Sequence, residues 1–232
     1  TAVGAEALDA NTTGTLNTSI GRESLSANTT GIKNTAVGKS ALQGNTTGDN
    51  NTAIGWDALN ANTTADFNVA VGNAALALNT TGYSNTSIGY NALNANTTGL
   101  GNVALGQGSL SSNTTANDNT ALGRISLTNN TTGTRNTAVG RGSLNANTTS
   151  HDNTAVGYFS LYSSTTGTKN TGLGGYALQQ NTTGNENVGT GYNALGANTT
   201  GSNNIAVGNW ALDANTTASF NTGVGHQSLS TN

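Results

Sequence analysis

The chain contains no proline, no cysteine and no methionine, and only 7% of its 232 residues are Asp, Glu, Lys or Arg. Each shortage excludes something. Without cysteine there are no disulfides and no thiolate metal sites. The compartment stays open, since extracellular fibres can also do without cysteine. Without proline, and without glycine at every third residue, a collagen helix is excluded. A net charge of −3 is too small for the electrostatic footprint of a nucleic-acid binder, and the seven basic residues form no stripe. No run of about 20 apolar residues is present, so no membrane insertion is expected in this segment. Disorder fits no better, because low hydrophobicity there goes with high net charge.

What is present is one motif, repeated. Read in steps of 17, the sequence falls into thirteen full units and an eleven-residue remainder, without insertion or deletion. The consensus is T-A-V-G-x-x-[AS]-L-x-x-N-T-T-G-x-x-N. Position 4 is Gly and position 8 is Leu in all fourteen copies, from Gly4 and Leu8 to Gly225 and Leu229. Asn closes every full unit, from Asn17 to Asn221. Thr1 opens a unit and Asn232 stops inside one. Solenoids normally carry distinct capping units, so residues 1–232 are expected to form a single repeat array cut from a longer chain.

A helix is excluded by the glycines and by the lack of a 3.6-residue rhythm. Short β-branched runs between Asn and Gly read as short strands separated by turns. The expected fold is all-β: a parallel β-solenoid or β-roll with one coil per 17-residue repeat. Alternation along the strand then assigns faces. Position 1 is always β-branched and position 3 is aliphatic in every copy but Thr190, so both are expected to point into the coil. Position 2, always Ala, Ser or Gly, is expected to point out, and position 7, Ala or Ser, to lie opposite the inward Leu at position 8. All eleven aromatics and all seventeen charges fall at positions 5, 6, 9, 15 and 16, which are therefore expected to be surface. So lean an interior is expected to need partners, with the small residues at positions 2 and 7 packed against other chains.

Segments such as Asn34-Thr35-Ala36-Val37-Gly38 and Asn136-Thr137-Ala138-Val139-Gly140 carry a resemblance. They resemble the left-handed parallel β-roll repeats of trimeric autotransporter adhesin heads. The full unit also looks like the repeat arrays of tail-fibre proteins that end in an intramolecular chaperone domain. The resemblance implies a homotrimeric, elongated fibre on a cell or virion surface. The 17-residue unit is longer than that of the adhesin heads, and no anchor, stalk or chaperone domain lies within this sequence.

Candidate chemistry is sparse. N-T-T is an N-glycosylation sequon, and it starts at Asn11, Asn28, Asn45, Asn62, Asn79, Asn96, Asn113, Asn130, Asn147, Asn181, Asn198 and Asn215. Further sequons start at Asn17, Asn50, Asn85 and Asn129. The rival reading is an Asn corner followed by a Thr pair wanted for structure, since the middle Thr is invariant and Ser164 keeps Thr165 and Thr166 beside it. Tyr158, Phe159 and Tyr162 share one unit and Tyr176 lies in the next, a candidate contact surface for a glycan or receptor. The rival there is drift at tolerant loop positions. His151 and His226 are far apart, the carboxylates show no paired spacing, and Asp is too sporadic for a calcium solenoid. No catalytic residue, metal or cofactor is expected, and the chain is read as non-enzymatic.

The leading expectation is a structural element of an extracellular or virion-surface fibre, an adhesin head or tail-fibre shaft, presenting variable residues for attachment. A self-assembling glycosylated filament is the second reading. An ice-binding solenoid is the third, held back because a position 1 that accepts Val and Ile looks buried.

Overall fold

A computed structural model describes residues 1–230. The protein is an all-β, parallel β-solenoid of about 13 turns with about 17 residues per turn. It divides into two compact units, Thr1–Asn117 and a second beginning at Asp118. In the first, β1 (Ala2–Val3) is followed by six strands at 17-residue intervals, from β2 (Thr18–Ile20) to β7 (Val103–Leu105). The second holds seven more, from β8 (Thr120–Leu122) to β14 (Thr222–Val224).

Each full strand is positions 1 to 3 of its repeat, and within each compact unit neighbouring strands pair in parallel in unshifted register. Between β2 and β3 (Thr35–Val37), Thr18 lies opposite Thr35, Ser19 opposite Ala36 and Ile20 opposite Val37. The hydrogen bonding does not stop with the strands. Leu25 N–H donates to Ala41 O, Thr29 N–H to Thr46 O, and Lys33 N–H back to Thr15 O. The backbone of a coil is thus tied to its neighbours around much of its circumference, which is how short strands and turns avoid unpaired buried amides.

The strand faces are the reverse of those expected from the sequence. Ala36, at position 2, is fully buried, while Thr35 and Val37 on either side are half-exposed. The same pattern recurs in β4 (Thr52–Ile54) and in β6 (Thr86–Ile88), with Ile54 40% exposed. Position 7 is also inside: Ala41, Ala58 and Ser24 are buried beside the Leu of position 8. The physical reason is the narrowness of the coil. Position 2 packs on the preceding coil's positions 7 and 8; a Cβ on Gly172 would stand 2.5 Å from Ser160 Oγ and 3.4 Å from Leu161 Cγ. Only Ala, Ser or Gly fits there, so the larger β-branched residues face out. Positions 2 and 7 are therefore interior, not intermolecular.

Serine enters this interior with its hydroxyl already satisfied. The hydroxyls of Ser24, Ser109, Ser126 and Ser143 each donate to the carbonyl of the corner glycine three residues earlier, at 2.9 Å. At these four sites Ser replaces Ala without leaving an unpaired group, whereas the buried hydroxyl of Ser228, at position 7 of the last repeat, has no partner.

Four residues per coil bend the chain through positive φ. Position 4 is the most demanding: Gly55 has φ +136°, and a Cβ there would meet the Gly72 carbonyl oxygen at 2.5 Å. Glycine is required both for its conformation and for the close stacking of successive corners. Positions 6, 8 and 16 take the left-handed region with ordinary side chains, as at Ser40, Leu42 and Lys33. Leu42 accepts this strained geometry because it delivers the side chain to the centre of the coil, fully buried.

Candidate functional site

Two ladders of asparagine line the interior. At position 11, Asn28 Nδ2 donates to Asn11 Oδ1 at 2.8 Å and to the Gly31 carbonyl at 3.1 Å. Asn45, Asn62, Asn79, Asn96 and Asn113 continue the pattern through the first unit. At position 17, Asn34 Nδ2 donates to Gly48 O at 2.7 Å, and Asn34 Oδ1 accepts from Asn51 N–H at 2.9 Å. The position-14 carbonyl accepts from both ladders; Gly31 O, for instance, receives Asn28 and Asn17. These buried amides satisfy one another and the position-14 carbonyls, the condition under which buried polar networks specify a structure.

This sets the fate of the sequons. Eleven of the twelve N-T-T asparagines, from Asn28 to Asn215, are buried, and Asn11 is half-buried. A glycan would have to leave from the Nδ2 that holds the ladder together, so the folded coil has no outlet for it. Their job is structural. Asn17 and Asn85 are buried in the second ladder, whereas Asn50 is half-exposed and Asn129 exposed.

Six of the seven aromatics of the second unit, all but Phe220, form one continuous ladder. Tyr158 and Phe159 lie with ring centroids 4.3 Å apart, and Phe159 meets Tyr162 at 4.8 Å. Tyr158 and Phe159 reach Tyr176 in the next coil at 5.5 and 6.2 Å. All four residues named from the sequence are thus brought together. The ladder continues where the sequence reading stopped: Tyr176 to Tyr192 at 5.6 Å, and Tyr192 to Trp210 at 5.4 Å. Intervals of 18, 16 and 18 residues along Tyr158, Tyr176, Tyr192 and Trp210 were the available signal. Arg141 closes one end, its guanidinium 5.6 Å from the Tyr158 and Phe159 ring centres and its Nη1 donating to the Tyr158 hydroxyl at 3.2 Å. Partial desolvation, and then the neighbouring phenols of Tyr158 and Tyr192, hold the Tyr176 hydroxyl above its ordinary pKa. In the first unit, Lys39 over Trp56 at 5.7 Å is a single step of the same kind.

A second surface row runs along position 16. Arg135 makes a bidentate pair with Asp152 one coil on, at 2.7 and 3.1 Å, and Lys169 pairs with Glu186 at 3.3 Å. Asp152 is held below the usual carboxylate range chiefly by the Arg135 hydrogen bonds. From Asp118 to Glu186 the signs at position 16 alternate from coil to coil, so no two like charges are stacked there. Such exposed pairs contribute little individually.

The third surface is the outer strand face. Its two rows are position 1, Thr or Val or Ile, and position 3, nearly all Val, Ile or Leu. No charged residue stands at positions 1, 2 or 3 in any copy. Among the described residues, no three His, Asp or Glu side chains gather as a metal site would require, and no helix is long and apolar enough to cross a membrane. No protein-family model, no curated protein and no solved structure matches the chain.

Proposed function

We propose that the chain is a structural, non-enzymatic fibre element that assembles from copies of itself through the outer strand face and presents the variable edges for attachment. The observation that carries this reading is the uncharged outer face, on which a partly exposed aliphatic row at position 3 runs beside a Thr-rich row at position 1. Along the first unit Ile20, Ile54, Ile88 and Leu105 are each about 40% exposed, with the half-buried Val37 and Val71 between them. Monomeric soluble proteins seldom leave so continuous an apolar stripe open to water. The occupant best matched is a second copy, because a surface repeating every 17 residues is complementary in period only to another such surface. A homotrimer is the state implied by the adhesin-head resemblance, and with it a place on a cell or virion surface.

Sedimentation velocity tests this. The wild type is expected to run as a defined oligomer, and the Ile54→Asp, Ile88→Asp double variant as a monomer of 23.1 kDa with an unchanged circular-dichroism spectrum. A monomeric wild type would contradict it.

The outer face also favours a second reading over what the sequence suggested. Thr occupies position 1 in ten of fourteen copies, and it faces out rather than in. A regular array of Thr beside aliphatic side chains is what an ice-binding surface requires. Thermal hysteresis in dilute protein solution is the expected sign of it, and its absence removes this reading.

A further inference from the structure

We infer that the aromatic ladder of the second unit is a binding track for a neutral polysaccharide chain. This deepens the presentation role proposed above by naming the chemistry of what is presented to. The ladder spans consecutive coils from Tyr158 to Trp210, with neighbouring rings 5.4–5.6 Å apart from coil to coil. Tyr158, Tyr192 and Trp210 are each more than a third exposed. Large aromatics held at a fixed spacing on a rigid backbone lose little entropy on binding, and Tyr and Trp offer an apolar face with a polar edge. That combination matches a sugar ring, which has C–H faces and a hydroxyl rim.

The surrounding groups decide between partners. Position 9 lies beside position 6 of its own coil, as the Phe159–Tyr162 contact demonstrates. In the next coil that place beside Tyr176 is held by Gln179, with Gln180 following, and Asn193 stands next to Tyr192. The side-chain amides of Gln179, Gln180 and Asn193 have no hydrogen-bond partner among the described residues. They can donate to and accept from hydroxyls. At positions 5, 6, 9 and 10 of the five coils that include Arg141 to Trp210 there are two charges, Arg141 at one end and Asp213 at the other, with none between them. A cationic ligand would find one counter-charge, Asp213, at the Trp210 end and none along the rest of the track. An anionic one would find only Arg141, already engaged with Tyr158 and Phe159. A neutral, hydroxyl-rich chain is the class that fits.

Affinity electrophoresis of the full chain in native gels tests this. The gels would carry hydroxyethylcellulose, xylan, galactomannan, starch, alginate or gelatin. At least one of the four neutral polysaccharides is expected to retard the wild type. Tyr176→Ala with Tyr192→Ala is expected to weaken that retardation about tenfold, a loss of about 1.4 kcal/mol. Tyr176→Phe with Tyr192→Phe, which keeps the rings, should retain most of it, and Trp56→Ala in the first unit should retain all of it. Neither ladder variant should change the sedimentation coefficient, which separates this inference from the assembly reading. Retardation by no neutral polysaccharide, or retardation indifferent to the ladder, would overturn the inference. Ladder-dependent retardation by alginate alone would point to an anionic ligand, and by gelatin alone to a polypeptide, and either would also overturn it.

Discussion

The hydroxyl of Ser150 donates to Oδ1 of Asn147, three residues earlier in the same coil. Ser150 is the one serine at position 14, and it stands one coil before Ser164, the one residue that interrupts the position-11 asparagine ladder. An asparagine at 164 would have supplied the donor for Asn147 Oδ1, as Asn147 does for Asn130 at 2.7 Å. Ser150 fills that lost donation from inside the coil. The Ser164 hydroxyl itself is buried with no partner.

Ser164→Asn should therefore reconnect the ladder through Asn181 and stabilise the second unit by about 1–2 kcal/mol. Ser150→Gly should destabilise the natural chain by about 1 kcal/mol and cost less in the Ser164→Asn background. A double-mutant cycle by urea denaturation measures the coupling. Purely additive effects would separate the two serines.

Backbone conformation gives a pair of opposite expectations. Gly55→Ala puts a methyl 2.5 Å from the Gly72 carbonyl oxygen at φ +136°. It should destabilise by about 3 kcal/mol, from strain and overpacking together. Ile125 is β-branched yet sits at φ +51°. Ile125→Asn should stabilise by about 1 kcal/mol, since Asn tolerates the left-handed region far better. Thermal unfolding of the two variants should shift in opposite directions.

Glycan occupancy should follow burial rather than motif. Expressed in a glycosylating host, folded protein is expected to carry sugar at Asn129 or Asn50 and none at the N-T-T asparagines. Peptide mass spectrometry of the folded fraction checks this. Occupancy at Asn62 or Asn79 in folded protein would contradict the ladder.

Stability should respond weakly to acid. Glu23 and Asp152 have folded pKa values lowered by Arg22 and Arg135 hydrogen bonds respectively. A lowered carboxylate pKa contributes stability above the unfolded value, about 4, which is lost as pH falls through the folded value. Both groups are on the surface, so the loss is small. Tyr176 has the opposite sign: its raised pKa favours the folded state below about pH 10, and that contribution fades as the pH rises through the folded value. The thermal midpoint should be flat from about pH 5 to pH 9 and decline gently outside it. Adding salt should change it little, since exposed ion pairs contribute little to begin with.

Much of this architecture was legible in the sequence. The 17-residue period, the inward Leu at position 8, the corner Gly at position 4 and the outward charges at 5, 6, 9, 15 and 16 could all be read from which residues vary. The strand faces could not. Thr35-Ala36-Val37 alternates in either sense, and hydrophobicity alone puts Thr35 and Val37 inside. Ala36 is inside because Leu25 and Ala41 already fill the coil, a steric fact of three dimensions. The ladders were hidden for a related reason. Asn28 in a sequon looks like a surface acceptor until its Nδ2 is seen on Asn11. Tyr192 and Trp210 were missed because neighbours in space lie 16 to 18 residues apart in the chain.

The central claim is that positions 1 and 3 form the face through which copies meet. The chain contains no cysteine, so single thiols can test it directly by oxidative cross-linking in dilute solution. Ile54→Cys should be captured as a disulfide-linked dimer, the most that one thiol per chain allows, while Lys33→Cys, at an exposed corner on position 16, should remain monomeric on a denaturing gel. Efficient cross-linking at 33 with none at 54 would contradict it.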